Sequence, residues 1–125
     1  MNDSIQALIQ QAAEFRDARD WKQFHNPKDL AISISLEAAE LLEVFQWTGA
    51  DVEADTSEKM DKIKEELADV LIYSLLMGDV LGLDISEIIT KKIEANNKKY
   101  PVDKAYGKAD KYTAYRSDTE EGGQK

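Results

Sequence analysis

The 125-residue chain carries 25 Asp and Glu against 16 Lys and Arg, a formal net charge of −9, with one His and no Cys. That length fits one domain able to build its own core, and the lack of cysteine excludes disulfide scaffolds, thiol nucleophiles and zinc–thiolate sites. The acidity argues against nucleic acid or an anionic membrane surface as partner, because both require a basic footprint.

The N-terminus, Met1-Asn2-Asp3-Ser4, lacks the basic and apolar regions of a secretory signal. A first helix is expected from Ser4 to about Arg19, where Ile5, Leu8, Ile9, Ala12 and Phe15 recur at helical spacing. Asp20 to His25 reads as a loop. Asn26-Pro27 then supplies an N-cap with proline at the first helical position, opening a second helix expected to end near Trp47-Thr48-Gly49. Asp51 to Asp55 reads as a polar connection. Asp55 and Glu58 have capping-box spacing and open a third helix that runs to about Leu81-Gly82. Its longest apolar stretch, Val70 to Gly78, is flanked by Asp69 and Asp79, so it is not a bilayer span. Asp84 and Glu87 repeat the capping spacing before a fourth helix, which ends near Lys99 because Pro101 biases Tyr100 out of helical geometry. No β-alternating run competes. The expected fold is an all-α helical bundle of about four main helices, a domain of residues 1–115 with a polar tail over 116–125, soluble and cytoplasmic.

The charge is unevenly distributed. Residues 37–87 hold 14 acids and 3 bases, a local balance of −11, whereas residues 91–116 hold 8 bases and 3 acids, a balance of +5. On a helical wheel at roughly 100° per residue, Glu37 lies at the centre of an apolar arc made by Leu30, Ile34, Leu41 and Val44, with Glu40 about 60° away. Glu66 holds the same place among Ile63, Val70, Tyr73 and Met77, with Asp69 about 60° to its side. Two helices thus each aim a pair of acids, three residues apart, toward what should be core. A buried unpaired carboxylate costs several kcal/mol, about the scale of a whole domain's stability. Lysine partners, protonation and hard cations are the three available compensations, and two such pairs favour cations. Oxygen-only ligands suit Mg²⁺, with Mn²⁺ as a substitute. Di-iron bundles need a Glu-x-x-His motif, and the single histidine, His25, has no such spacing.

An all-carboxylate Mg²⁺ site commonly meets a phosphate ligand. In the fourth helix Lys92 and Asn96 fall on the face marked by Ile85, Ile89 and Ile93, where a lysine and an amide suit phosphate oxygens. There is no P-loop and no dinucleotide fingerprint, so such a site is built from side chains. Trp21, Phe24 and His25, and Trp47 at the end of the second helix, are suited either to stacking on a nucleobase or to plugging the core.

The stretch Arg19-Asp20-Trp21-Lys22-Gln23-Phe24-His25-Asn26-Pro27, followed by Glu37-Ala38-Ala39-Glu40-Leu41-Leu42-Glu43-Val44-Phe45-Gln46-Trp47, resembles the all-α nucleoside triphosphate pyrophosphohydrolases of the MazG-like superfamily, and within them the dCTP pyrophosphatase branch. Glu65-Glu66-Leu67-Ala68-Asp69-Val70-Leu71-Ile72-Tyr73 resembles the second acidic motif of that family, and Asn96 to Val102 with Lys111-Tyr112-Thr113 its C-terminal motif. Where the family often carries a further acid directly before its first motif position, this chain has Leu36. The resemblance implies Mg²⁺-dependent cleavage between the α- and β-phosphates of a nucleoside triphosphate, dCTP or a modified pyrimidine nucleotide, as nucleotide-pool housecleaning. It implies Glu37, Glu40, Glu66 and Asp69 as metal ligands, with Glu37 or Glu40 activating water. Lys92 and Asn96 would hold phosphates or sugar, Lys92 also stabilising developing charge. Tyr73 and Tyr100 would line the pocket, and Trp21, His25 and Trp47 would surround the base. A homodimer or homotetramer is expected, because one small bundle does not enclose a triphosphate alone. The rival readings are a non-catalytic helical module that binds nucleotide and Mg²⁺, and a structural oligomer whose acids pair with lysines across subunits.

Overall fold

The computed structural model describes residues 4–45 and 49–109. They divide into two compact units, Met1–Ile85 and Ser86–Lys125. The described residues form helices with no strand, so the fold is all-α.

In the first unit, α1 (Ser4–Ala18), α2 (Pro27–Glu43) and α3 (Ser57–Leu81) are the long elements, and both α1 and α2 pack on α3. The α1–α2 connection contains a 3₁₀ turn, Lys22–Phe24. Just before it, Asp20 adopts a left-handed backbone at φ 56°, and Gln23 Nε2 donates to both its carbonyl and its carboxylate at 3.0 Å. The strained turn is therefore clamped by its own neighbours. α2 starts as its sequence dictates: Asn26 Oδ1 accepts from the Asp29 amide at 2.8 Å, and Pro27 occupies the first turn.

Two boundaries differ from expectation. α2 ends at Glu43, short of Trp47, where the Val44 amide turns back to the Leu41 and Leu42 carbonyls and tightens the last turn. Gln46, Trp47 and Thr48 lie outside the described residues. The cap of α3 is Thr56 rather than Asp55: Thr56 Oγ1 accepts from the Lys59 amide at 3.1 Å. Asp55 is drawn off instead to Lys59 Nζ, 3.2 Å away, which also binds Asp51 and, at 3.3 Å, the Glu53 carbonyl. Lys59 thereby folds the connection back onto the first turn of α3.

α3 stops at Gly82, whose φ of 65° is the left-handed conformation glycine adopts without penalty, and the Leu83 amide reaches back to the Gly78 carbonyl at 2.9 Å. In the second unit, α4 (Ile85–Lys99, its first residue belonging to the first unit) ends before Pro101 as expected. The one-turn helix α5 (Val102–Ala105) then follows, which periodicity does not announce because it is shorter than the window needed to see it. Among the described residues no helix is long and apolar enough to cross a membrane.

The deep core of the first unit is small. Ile9, Leu30 and Leu76 are the buried apolar residues among those described, and Arg16 is buried with them. Gly78 is buried because Ile85 lies across it: a Cβ built there would sit 2.5 Å from Ile85 Cδ1. Gly78→Ala is therefore expected to lower stability by about 1–3 kcal/mol. Adding Ile85→Ala, which removes the clashing atoms, should recover part of that loss in thermal melts followed by circular dichroism.

Candidate functional site

The three-residue spacing on α2 puts Glu37 and Glu40 on neighbouring turns of one face, and α3 brings Glu66 to meet them. One carboxylate oxygen from each of the three lies within 4.8 Å of the others. Glu37 and Glu66 are half-buried and Glu40 is exposed. Glu37 Oε2 and Glu66 Oε2 are buried with no hydrogen-bond partner. Two like charges about 4 Å apart repel by about 4 kcal/mol even at an effective dielectric of 20.

The electrostatics follow from that crowding. Burial first, then contact with Glu40 and the charges of Glu40, Asp69 and Glu66, push the Glu37 carboxyl from 4.5 up to about 7. Burial and Glu40 likewise hold Glu66 above the ordinary carboxylate range, against a smaller opposing pull from Lys62. None of the three forms an ion pair among the described residues, and Lys59 is committed to Asp51 and Asp55. Compensation by lysine, one of the three readings of the sequence, is thus absent within the described residues. The group fits a hard divalent cation: its donors are all carboxylate oxygens, and the two orphaned oxygens would gain the partner they lack.

Asp69 stands one turn beyond Glu66. Its carboxylate is not part of the close group of three, but its charge raises both Glu37 and Glu66. Asp69 also lines a cavity of about 580 Å³, within the range of small-molecule sites. Carboxylate cluster and cavity therefore adjoin. The cavity lies along α1 and α3, and its walls include Phe15, Arg16, Trp21, His25 and Tyr73 as well as Asp69.

The aromatic part of that wall is ordered by mutual contact. The Phe15 and Trp21 rings meet edge to face with centroids 5.7 Å apart, and the Arg19 guanidinium sits 3.8 Å over the Phe15 ring. The His25 and Tyr73 rings meet at 6.4 Å in the same manner. His25 Nδ1 is buried without a partner, and burial, with a smaller contribution from the Arg16 charge, holds the imidazole pKa below its ordinary value. Neutral His25 is the form this environment favours.

Four residues singled out in the sequence, Trp21, His25, Asp69 and Tyr73, thus meet in one cavity, and three more, Glu37, Glu40 and Glu66, meet beside it. Lys92 and Asn96 lie on α4 at i,i+4 spacing, Lys92 exposed and Asn96 half-buried, and Tyr100 follows that helix; all three belong to the second unit. Trp47 lies outside the described residues.

Arg16 is the wall residue that sequence reasoning missed. It is 2% exposed, with Nε donating to Asp17 at 2.8 Å and Nη1 to Asp79 of α3 at 2.7 Å. Its carbonyl also accepts from the Trp21 amide at 3.1 Å. The available signal was its position seven residues after Ile9, on the apolar face of α1.

Comparison with known proteins gives a consistent result. Residues 32–114 match the sequence model of the MazG-like family. The dCTP pyrophosphatase 1 of Mus musculus is 38% identical over 104 residues, a match covering 81% of this chain and 61% of that protein. The Homo sapiens protein of the same name is 35% identical over 105 residues with the same coverage. The matched region therefore spans less than two thirds of these relatives' length. A crystal structure of a pyrophosphatase from Archaeoglobus fulgidus superposes with a TM-score of 0.69 at 42% identity, covering 81% of this chain and 95% of that one.

The raised Glu37 carboxyl has a consequence for stability in the absence of metal. Between 4.5 and about 7 the folded chain retains a proton that the unfolded chain has lost, so stability falls as pH rises across that window. Chelator-treated protein is expected to show a falling melting temperature from pH 4.5 to 7, and millimolar Mg²⁺ should restore it at the upper end.

Proposed function

The chain belongs to the MazG-like family, and we propose that it is a Mg²⁺-dependent nucleoside triphosphate pyrophosphohydrolase acting on dCTP or a modified pyrimidine nucleotide. One observation carries this reading: three carboxylates converge with two buried, unpartnered oxygens directly beside an aromatic-walled cavity. That is the arrangement a triphosphate attached to a base requires, a cation site for the phosphates and a flat apolar recess for the ring. The names of the relatives and of the archaeal structure support the same class of reaction.

In this reading Glu37, Glu40 and Glu66 hold the cation, with Asp69 completing the set from the cavity side. Bound Mg²⁺ would neutralise phosphate charge and lower the pKa of a coordinated water. The side chains do the rest. Glu37 or Glu40, one turn apart on α2, orients the attacking water and takes its proton. The water oxygen adds to the α-phosphorus as the bond to the bridging oxygen breaks, giving a nucleoside monophosphate and pyrophosphate. Lys92 and Asn96, on one face of α4, offer a cation and an amide whose chemistry suits phosphate or sugar oxygens. Tyr73 lines the pocket, and Trp21 and His25 frame the base.

A homodimer or homotetramer belongs to the same proposal. Large apolar side chains stand exposed in the first unit, Leu36 at 61% and Leu71 at 53% among them, and a second copy could cover them.

Incubation with dCTP, 5-methyl-dCTP, dUTP, dTTP and ATP in Mg²⁺, with products resolved by chromatography, tests the reaction. Monophosphate and pyrophosphate in equal amounts are expected, with activity abolished by EDTA. Glu66→Gln should lower kcat by about 10²-fold or more, the scale of one transition-state interaction. Absence of product with every nucleotide, or full activity in Glu66→Gln, rejects the proposal.

A further inference from the structure

Arg16 does more than brace two helices. A guanidinium carries five N–H donors, and this one is only 2% exposed. Nε donates to Asp17 and Nη1 to Asp79, while Nη2 has no partner among the described residues and is not one of the buried, unpartnered atoms, so it keeps accessible surface. Arg16 lines the cavity. Its two carboxylate partners hold the planar group in one orientation. Bracing uses Nε and Nη1, which leaves Nη2 for an acceptor that enters the cavity.

We propose that Arg16 is a specificity-determining residue, which donates from Nη2 to an acceptor on the edge of a pyrimidine ring seated among Phe15, Trp21, His25 and Tyr73. The assignment rests on the nucleotide reading above and adds to it a rule for choosing the base. Cytosine presents two adjacent acceptors, O2 and N3, whereas uracil and thymine carry a hydrogen on N3. A donor-only group held rigidly by Asp17 and Asp79 accepts the first edge and repels the N3–H of the second. Gln11 is the amide side chain on the cavity wall, but it is exposed and can turn to present either a donor or an acceptor, so it does not discriminate.

Steady-state kinetics on dCTP and dUTP with wild type, Arg16→Met and the double variant Arg16→Met/Asp79→Leu test the assignment. The double variant replaces the Arg16–Asp79 pair with apolar atoms, leaving only the exposed Asp17, and so keeps a folded protein in hand should Arg16→Met, which strands the Asp79 carboxylate, unfold. Wild type should prefer dCTP. In a folded variant KM for dCTP should rise by about tenfold or more, KM for dUTP should change by less than about threefold, and kcat should hold within about threefold. Equal loss on both nucleotides, or retained dCTP preference in the double variant, overturns it. If wild type hydrolyses nothing, the hydrolase reading fails separately. Calorimetric binding of dCMP against dUMP to wild type and the double variant then decides the Arg16 assignment without turnover: selective loss of dCMP binding supports it, and unchanged selectivity overturns it.

Discussion

The structure is organised around three carboxylates that repel one another at the α2–α3 contact. Glu37 and Glu66 occupy positions where helical period demands leucine or isoleucine, and each carries a buried oxygen with nothing to bond. Among the described residues no basic group pairs with them: Lys59 is bound to Asp51 and Asp55, and Lys62 exerts only a smaller opposing pull on Glu66. The packing of α2 on α3 therefore holds against a local repulsion, and a cation relieves it. The deep core beside it is confined to Ile9, Leu30 and Leu76 among the described residues.

The aromatic wall shows how the rest of the first unit serves the same site. Asp20, in a left-handed backbone held by Gln23, turns the chain so that Trp21 comes back against Phe15, and the Trp21 amide is tied to the Arg16 carbonyl. His25 then meets Tyr73, which lies on α3 one turn beyond Asp69. A short strained connection is thus anchored at both ends to helices that carry the acids or adjoin them. Recess and carboxylates are positioned by one piece of backbone, so displacement of one is felt at the other.

The acids were legible in the sequence because a charge at the centre of an apolar arc contradicts the period around it, and the contradiction recurs on two helices. Fold class was legible for the same reason, since uninterrupted 3.6-residue periodicity leaves no room for strands. Arg16 escaped because one basic residue near the end of a helix is ordinary, complementing the helix dipole. Only its contact with Asp79, 63 residues away, marks it as buried. Thr56 escaped as the cap of α3 because Asp55 has equally good chemistry one residue earlier, and the choice was made by Lys59, a tertiary partner that no local motif encodes. Spacing placed Lys92 and Asn96 on one face of α4, but periodicity along a helix carries no information on how separate units meet.

Stability and function draw on one interaction here. Repulsion among Glu37, Glu40 and Glu66 opposes folding in the free chain, and any cation that binds the folded form alone contributes to stability according to its concentration over its Kd, about 2.7 kcal/mol at a hundredfold excess. The exposed apolar residues of the first unit act in the same direction, because covering Leu36 and Leu71 removes from water surface that the small core does not use. A chain arranged in this way is least stable when its site is empty. Apolar residues at the α2–α3 contact would pack more tightly than these acids do, so carboxylates at core positions are the physical signature of a site built for binding rather than for folding.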